Sequence, residues 1–101
     1  MITRNVFMKF KDDFQGDIEI KHTRKETMRV FGQLLMVRDF KVEEPADELS
    51  KKAWDLSLTV FFENNEGLEQ YKSDETHRQY VDQFLRPRLE VIKAWNFNSA
   101  T

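Results

Sequence analysis

A chain of 101 residues with no cysteine is the length of one domain, residues 1–101, and offers neither a disulfide framework nor a thiolate metal site. Its 16 basic and 18 acidic side chains leave a formal charge of −2, which excludes the concentrated basic footprint of a non-specific nucleic-acid binder. No apolar run reaches the roughly 20 residues of a membrane-spanning helix, and charges interrupt the N-terminal stretch where a secretory leader needs an unbroken apolar segment. The expectation is a cytoplasmic protein that binds neither membrane nor nucleic acid.

In chain order, Ile2, Val6, Met8 and Phe10 share one side of a first strand, with Arg4 among them. Thr3, Asn5, Lys9 and Lys11 face the other way, and Asp12-Asp13 ends the element. From Asp17 to Phe31 the positions Ile20, Thr23, Thr27, Val30 and Phe31 recur at steps of three and four, which predicts a helix. Gly32 follows, suited to a left-handed residue just past the helix end. Leu34, Met36, Phe40 and Val42 predict a second strand over about Gln33–Glu43. Pro45–Lys52 reads as a polar connection.

Trp54, Leu56, Leu58, Val60 and Phe62 alternate with polar residues, the clearest strand in the chain. Asn65 to Phe84 is helical in pattern, and Pro87 limits its continuation. Leu89, Val91, Trp95 and Phe97 then alternate with Glu90, Ile92, Ala94 and Asn96 in a fourth strand. The order β-α-β-β-α-β is the ferredoxin-like α+β plan, one four-stranded antiparallel sheet with both helices on a single face. The helix-free face is expected to carry Phe7, Leu35, Val37, Phe61, Ile92 and Ala94. Two such faces packed together would bury them, so a homodimeric α/β barrel is expected.

Candidate chemistry concentrates on Tyr71 and His77. In an unbroken helix, residues six apart are separated by roughly 9 Å of rise and about 120° of rotation. The two converge only if the helix breaks, and Ser73-Asp74 supplies the signal, since either side chain can cap a new helix at Glu75. A converged pair could act as general base (His77) and carbonyl-orienting donor (Tyr71). The competing reading has Tyr71 packed on the sheet and His77 fixing the break through a carbonyl. Arg4, a charge on an apolar strand face, could bind a carboxylate or an enolate-like anion, or else snorkel to solvent. Trp54, Tyr80 and Phe84 complete the expected lining of a crevice between helices and sheet, which either takes a small apolar or aromatic ligand or is filled by these side chains themselves. His22 and Glu26 stand i, i+4 on the first helix without a third ligand nearby. No metal site is expected, nor any cofactor, since the three glycines form no phosphate loop.

Val6-Phe7-Met8-Lys9-Phe10-Lys11-Asp12 resembles the opening strand of the stress-responsive α/β-barrel (Dabb) proteins. Trp54-Asp55-Leu56-Ser57-Leu58 with Phe61-Phe62-Glu63 resembles their third strand, and Tyr71-x5-His77, Pro87 and Asn96-Phe97 their closing pattern. The resemblance spans most of the chain and implies a dimeric ferredoxin-like barrel. It also implies distant similarity to olivetolic acid cyclase, a polyketide cyclase that uses a Tyr and a His at this spacing. The family's frequent His-Pro-x-His stands here as Asp74-Glu75-Thr76-His77, the first-strand His of its cyclase-like members as Arg4, and the usual Asp-Tyr ending as Asn96-Phe97. Three functions follow as expectations: a ligand-binding barrel, a cofactor-independent cyclase or isomerase using His77 and Tyr71, and a stress-linked interaction protein.

Overall fold

In the computed structural model, which describes residues 1–99, β1 (Ile2–Phe10) is followed by a single 3-10 turn at Asp12–Phe14 and by α1 (Asp17–Phe31). Gly16 opens α1 at φ 105°, a left-handed value that only glycine adopts without strain. β2 is Asp39–Glu43, α2 is Glu48–Ala53 and β3 is Leu56–Phe62. Then come α3 (Asn65–Ser73), α4 (Glu75–Gln79) and β4 (Leu89–Asn98). The sheet order is β2-β3-β1-β4 with every neighbouring pair antiparallel.

The core lies between sheet and helices. Met8, Phe10, Leu56, Val60 and Phe62 are fully buried from the sheet, and Phe31, Thr23, Thr27 and Val30 meet them from α1. Each large apolar side chain so enclosed contributes about 1.5–3 kcal/mol. Leu68 and Tyr71 of α3 close the layer beside Phe62. The periodicities expected for β1, α1 and β3 all hold in register.

Four local features differ from expectation, each for a local reason. β2 begins at Asp39, because Leu34 and Val37 donate turn bonds to Phe31 and Leu34 instead of entering the sheet. Gly32 ends α1 with right-handed angles, φ −64°, its N–H still reaching the Met28 carbonyl. The polar connection after Pro45 holds α2, started by the Asp47 carboxylate accepting the Ser50 N–H. Trp54 caps that helix, so β3 starts two residues later, at Leu56.

The faces of β4 also correct the expectation. Directly opposed residues of an antiparallel pair share a face. Val6 opposes Ala94 and Met8 opposes Ile92, so both Ala94 and Ile92 look toward the helices. Thr3 opposes Phe97, Asn5 opposes Trp95 and Lys9 opposes Val91, which puts those three apolar side chains on the open face. A bulge between Lys9 and Phe10 then returns Leu89 to the helix side opposite Phe10. The open face therefore carries Phe7, Phe61, Val91, Trp95 and Phe97. Leu35 lies in the turn before β2, fully exposed, and Val37 packs against the core.

The helical region after β3 breaks at Asp74, the position expected. Its N–H closes α3 on the Tyr71 carbonyl, and its carboxylate accepts the His77 N–H at 2.9 Å to open α4. Beyond α4, Tyr80–Leu85 winds in wider π turns, with the Arg86 N–H reaching the Val81 carbonyl five residues back. Tyr80 and Leu85 are both buried.

Candidate functional site

The break at Asp74 folds the start of α4 back over the end of α3. Tyr71 and His77 consequently stack, ring centroids 3.9 Å apart and planes 30° from parallel. They meet through their faces. Phe31 stands behind both, 6.0 Å from Tyr71 and 6.1 Å from His77, and Phe62 meets the Tyr71 ring edge-on at 5.1 Å. Tyr71 is buried and His77 half-buried.

Arg4 joins them from β1. Val60, its partner in the sheet, is buried on the helix side, which fixes the direction of the Arg4 side chain. The guanidinium carbon lies 5.8 Å from the Tyr71 ring centroid, and Nη1 donates to Asn96 Oδ1 at 3.0 Å. Arg4 Nε and His77 Nδ1 are both buried without a hydrogen-bond partner among the described residues. Such a group costs about 1–3 kcal/mol each when folding strips its water and supplies nothing in return.

Burial pushes the His77 imidazole below its ordinary pKa; Arg4 and Arg78 add to the shift, while the Tyr71 carbonyl and Asp74 oppose it. His77 is thus neutral at neutral pH and able to accept a proton. Burial pushes the Tyr71 phenol up, against the pull of Arg4, so it stays protonated as a donor. A neutral base, a phenolic donor and a fixed cation can together hold a carbonyl or anionic oxygen. Asn96, which orients Arg4, had only its place in a closing motif to mark it. Its role depends on the β1–β4 register, which no local pattern announces.

The other expected lining residues lie elsewhere. The Tyr80 hydroxyl shares a hydrogen bond with Thr27 inside the core, and burial pushes its pKa up. Phe84 stacks on Tyr80 at 5.8 Å and carries the Arg88 guanidinium 3.9 Å above its ring. Tyr80 and Phe84 line a separate cleft of about 240 Å³ beside Glu26 and Arg29 of α1. Trp54 sits 5.6 Å from Phe7, by a cleft of about 210 Å³ that also takes in Pro45 and Ser57. The structure therefore unites Arg4, Tyr71 and His77, sets Tyr80 against the same Phe31 ring with its hydroxyl turned to Thr27, and places Phe84 and Trp54 apart from them. Among the described residues no group of three His, Asp or Glu side chains could hold a metal ion, and no helix is long and apolar enough to cross a membrane.

A four-stranded antiparallel sheet of this order, with its helices on one face, defines a ferredoxin-like α+β protein. The chain belongs to the Dabb family, the stress responsive A/B barrel domain, whose sequence profile matches residues 2–99. Among solved structures, a Dabb family protein with a ferredoxin-like fold from Mesorhizobium loti superposes with a TM-score of 0.83 at 14% identity, covering 99% of this chain and 97% of that one. A protein from Arabidopsis thaliana gives 0.85 at 13% identity, covering 100% and 97%. A dimeric protein of unknown function from Bacteroides fragilis gives 0.75 at 15%, covering 97% and 95%. No curated protein matches the sequence.

Proposed function

We propose that this chain is a homodimeric barrel that holds a small apolar or aromatic ligand in the crevice between its helices and its sheet, with Arg4, Tyr71 and His77 at the polar end. The observation that carries the reading is the pair of unpartnered buried nitrogens, Arg4 Nε and His77 Nδ1. The great majority of buried polar atoms in folded chains are satisfied; Glu19 Oε2, Thr23 Oγ1 and Arg88 Nε are unpartnered as well, but only Arg4 and His77 meet at one aromatic ring, that of Tyr71. A screen of small apolar and aromatic compounds, followed by NMR of the His77 ring, tests it. Binders should shift His77 and be lost in His77→Ala, and binders that leave His77 unmoved would refute the site.

Dimerisation is supported by the open face, where Trp95 and Phe97 are more than half exposed beside Phe7 and Phe61, and by the dimeric Bacteroides fragilis protein of the same fold. Sedimentation at low micromolar concentration should give about twice the 12.2 kDa chain mass, and Trp95→Glu should halve it. A stable wild-type monomer would reject the arrangement.

The enzyme reading, a cofactor-independent cyclase or isomerase, is favoured by the stacking of His77 on Tyr71, centroids 3.9 Å apart, where burial pushes the imidazole pKa down and the phenol pKa up. On that reading His77→Ala keeps fold and dimer and loses at least about two orders of magnitude in turnover.

A further inference from the structure

At the end of β3 remote from Arg4, the start of α1 and the end of α2 border a cleft of about 250 Å³. The strand sets the separation: Asp55 precedes Val60, the partner of Arg4, by five residues, roughly 17 Å of extended chain. The Trp54 N–H closes α2 on the Ser50 carbonyl and the Asp55 N–H bonds the Met8 carbonyl, which fixes the backbone of both residues where they line the cleft. Asp55 is only 5% exposed and forms the floor. Trp54, Ile20 and Pro45 are half-buried and give it apolar walls, while Asp17, Glu44 and Lys51 stand exposed at the rim.

The Asp55 carboxylate commits one oxygen to the fold and keeps the other. Oδ2 accepts the Phe10 N–H at 2.8 Å and the Gln15 amide at 3.0 Å, and Lys9 approaches the same atom at 3.8 Å, beyond hydrogen-bond reach. Oδ1 accepts nothing among the described residues. At the rim Lys51 pairs with Glu48 and Lys21 with Glu44, while Asp17 has no ion pair among the described residues. An enclosed anionic oxygen under an acidic rim selects a charged donor. These carboxylates form no metal site, and a guanidinium fork would need both Asp55 oxygens, of which Oδ2 is taken. An ammonium is a compact charge that can use a single oxygen, and an indole ring attracts such a cation. We infer that this cleft binds a primary alkylammonium group, its nitrogen on Asp55 Oδ1 and its stem between Trp54, Ile20 and Pro45. A free short amine and the lysine side chain of a partner polypeptide present this same chemistry.

NMR of the full chain, read at the Trp54 indole N–H, tests the site with butylammonium, butanol and butyrate at millimolar concentration. The Trp54→Phe spectrum tells that signal from the Trp95 one. Butylammonium should shift it and bind at least about tenfold more tightly than butanol, which lacks the charge, or butyrate, which reverses it. Asp55→Asn can keep its amide oxygen on Phe10 and Gln15 and turn its NH2 into the cleft, so it should fold and lose at least about tenfold in affinity. Glu44→Gln, a change on an exposed side chain, should leave the fold intact and weaken binding by about two- to fivefold. Nα-acetyl-lysine methylamide bound as well as butylammonium assigns the site to a partner's lysine, and butylammonium bound alone assigns it to a free amine. An unmoved Trp54 signal, butanol bound as tightly as butylammonium, or unaltered affinity in either Asp55→Asn or Glu44→Gln would overturn the inference.

Discussion

Replacing Asp74 by Ala tests the hinge on which the site depends. Asp74 serves two helices, through its backbone N–H on the Tyr71 carbonyl at 3.3 Å and through its carboxylate on the His77 N–H at 2.9 Å. Alanine keeps the first contact and deletes the second. Loss of an N-cap costs about 0.5–2 kcal/mol, and because Asp74 is half-buried the freed His77 N–H recovers little water, which places the loss at about 1–2 kcal/mol. For a domain of this size each kcal/mol lowers the melting temperature by about 4–8 °C. Thermal denaturation at one fixed protein concentration reads this, since a dimer's melting point depends on concentration. Asp74→Asn, which retains an acceptor, should recover most of the loss. The carboxylate also raises the His77 pKa, so both variants should titrate His77 lower than the wild type by NMR. An Asp74→Ala protein as stable as the wild type would refute the view that this cap sets the angle between α3 and α4.

Asp55→Ala should be as costly, at about 1–3 kcal/mol. It strands the buried Phe10 N–H, which the carboxylate accepts at 2.8 Å, and removes one of the two acceptors of the Gln15 amide, which keeps the Phe10 carbonyl; denaturant unfolding would show the loss. For His77 the folded pKa lies below the ordinary 6.5, so between those two values the unfolded chain binds more protons than the folded one. Stability is therefore complete above about pH 6.5 and declines as pH falls toward the folded value. Unfolding measured across that range should lose part of its pH dependence in His77→Gln. An identical profile in both proteins would place the titration elsewhere.

Much of the fold was legible because burial repeats at fixed periods. Val6, Met8 and Phe10 on β1, the Thr23–Phe31 stripe of α1 and Leu56–Phe62 of β3 all face where their spacing directs them. β4 defied the same logic. It carries apolar residues on both sides, and only pairing with β1, bulge included, decides which set meets the helices. Asp55 was hidden for a similar reason: it alternates as a solvent-side residue, yet the end of β1 turns a backbone N–H toward it and buries it. In the site, the Tyr71–His77 meeting was readable from a capping residue at the right place. Asn96 and the exclusion of Trp54 were not, since both rest on contacts between segments far apart in sequence.

The π turns after α4 bear on how this chain can change in length. In regular α winding two residues five apart point roughly 140° away from each other, so Tyr80 and Leu85 could not both enter one core. The wider turn brings them onto the same side. Deleting one residue between them would leave them four apart, a spacing that an ordinary α-helix already aligns. Loss of a single residue in this stretch thus exchanges one winding for another while both side chains stay inside, and the segment from Val81 to Phe84 is where the helix can lose a residue without losing its hold on the sheet.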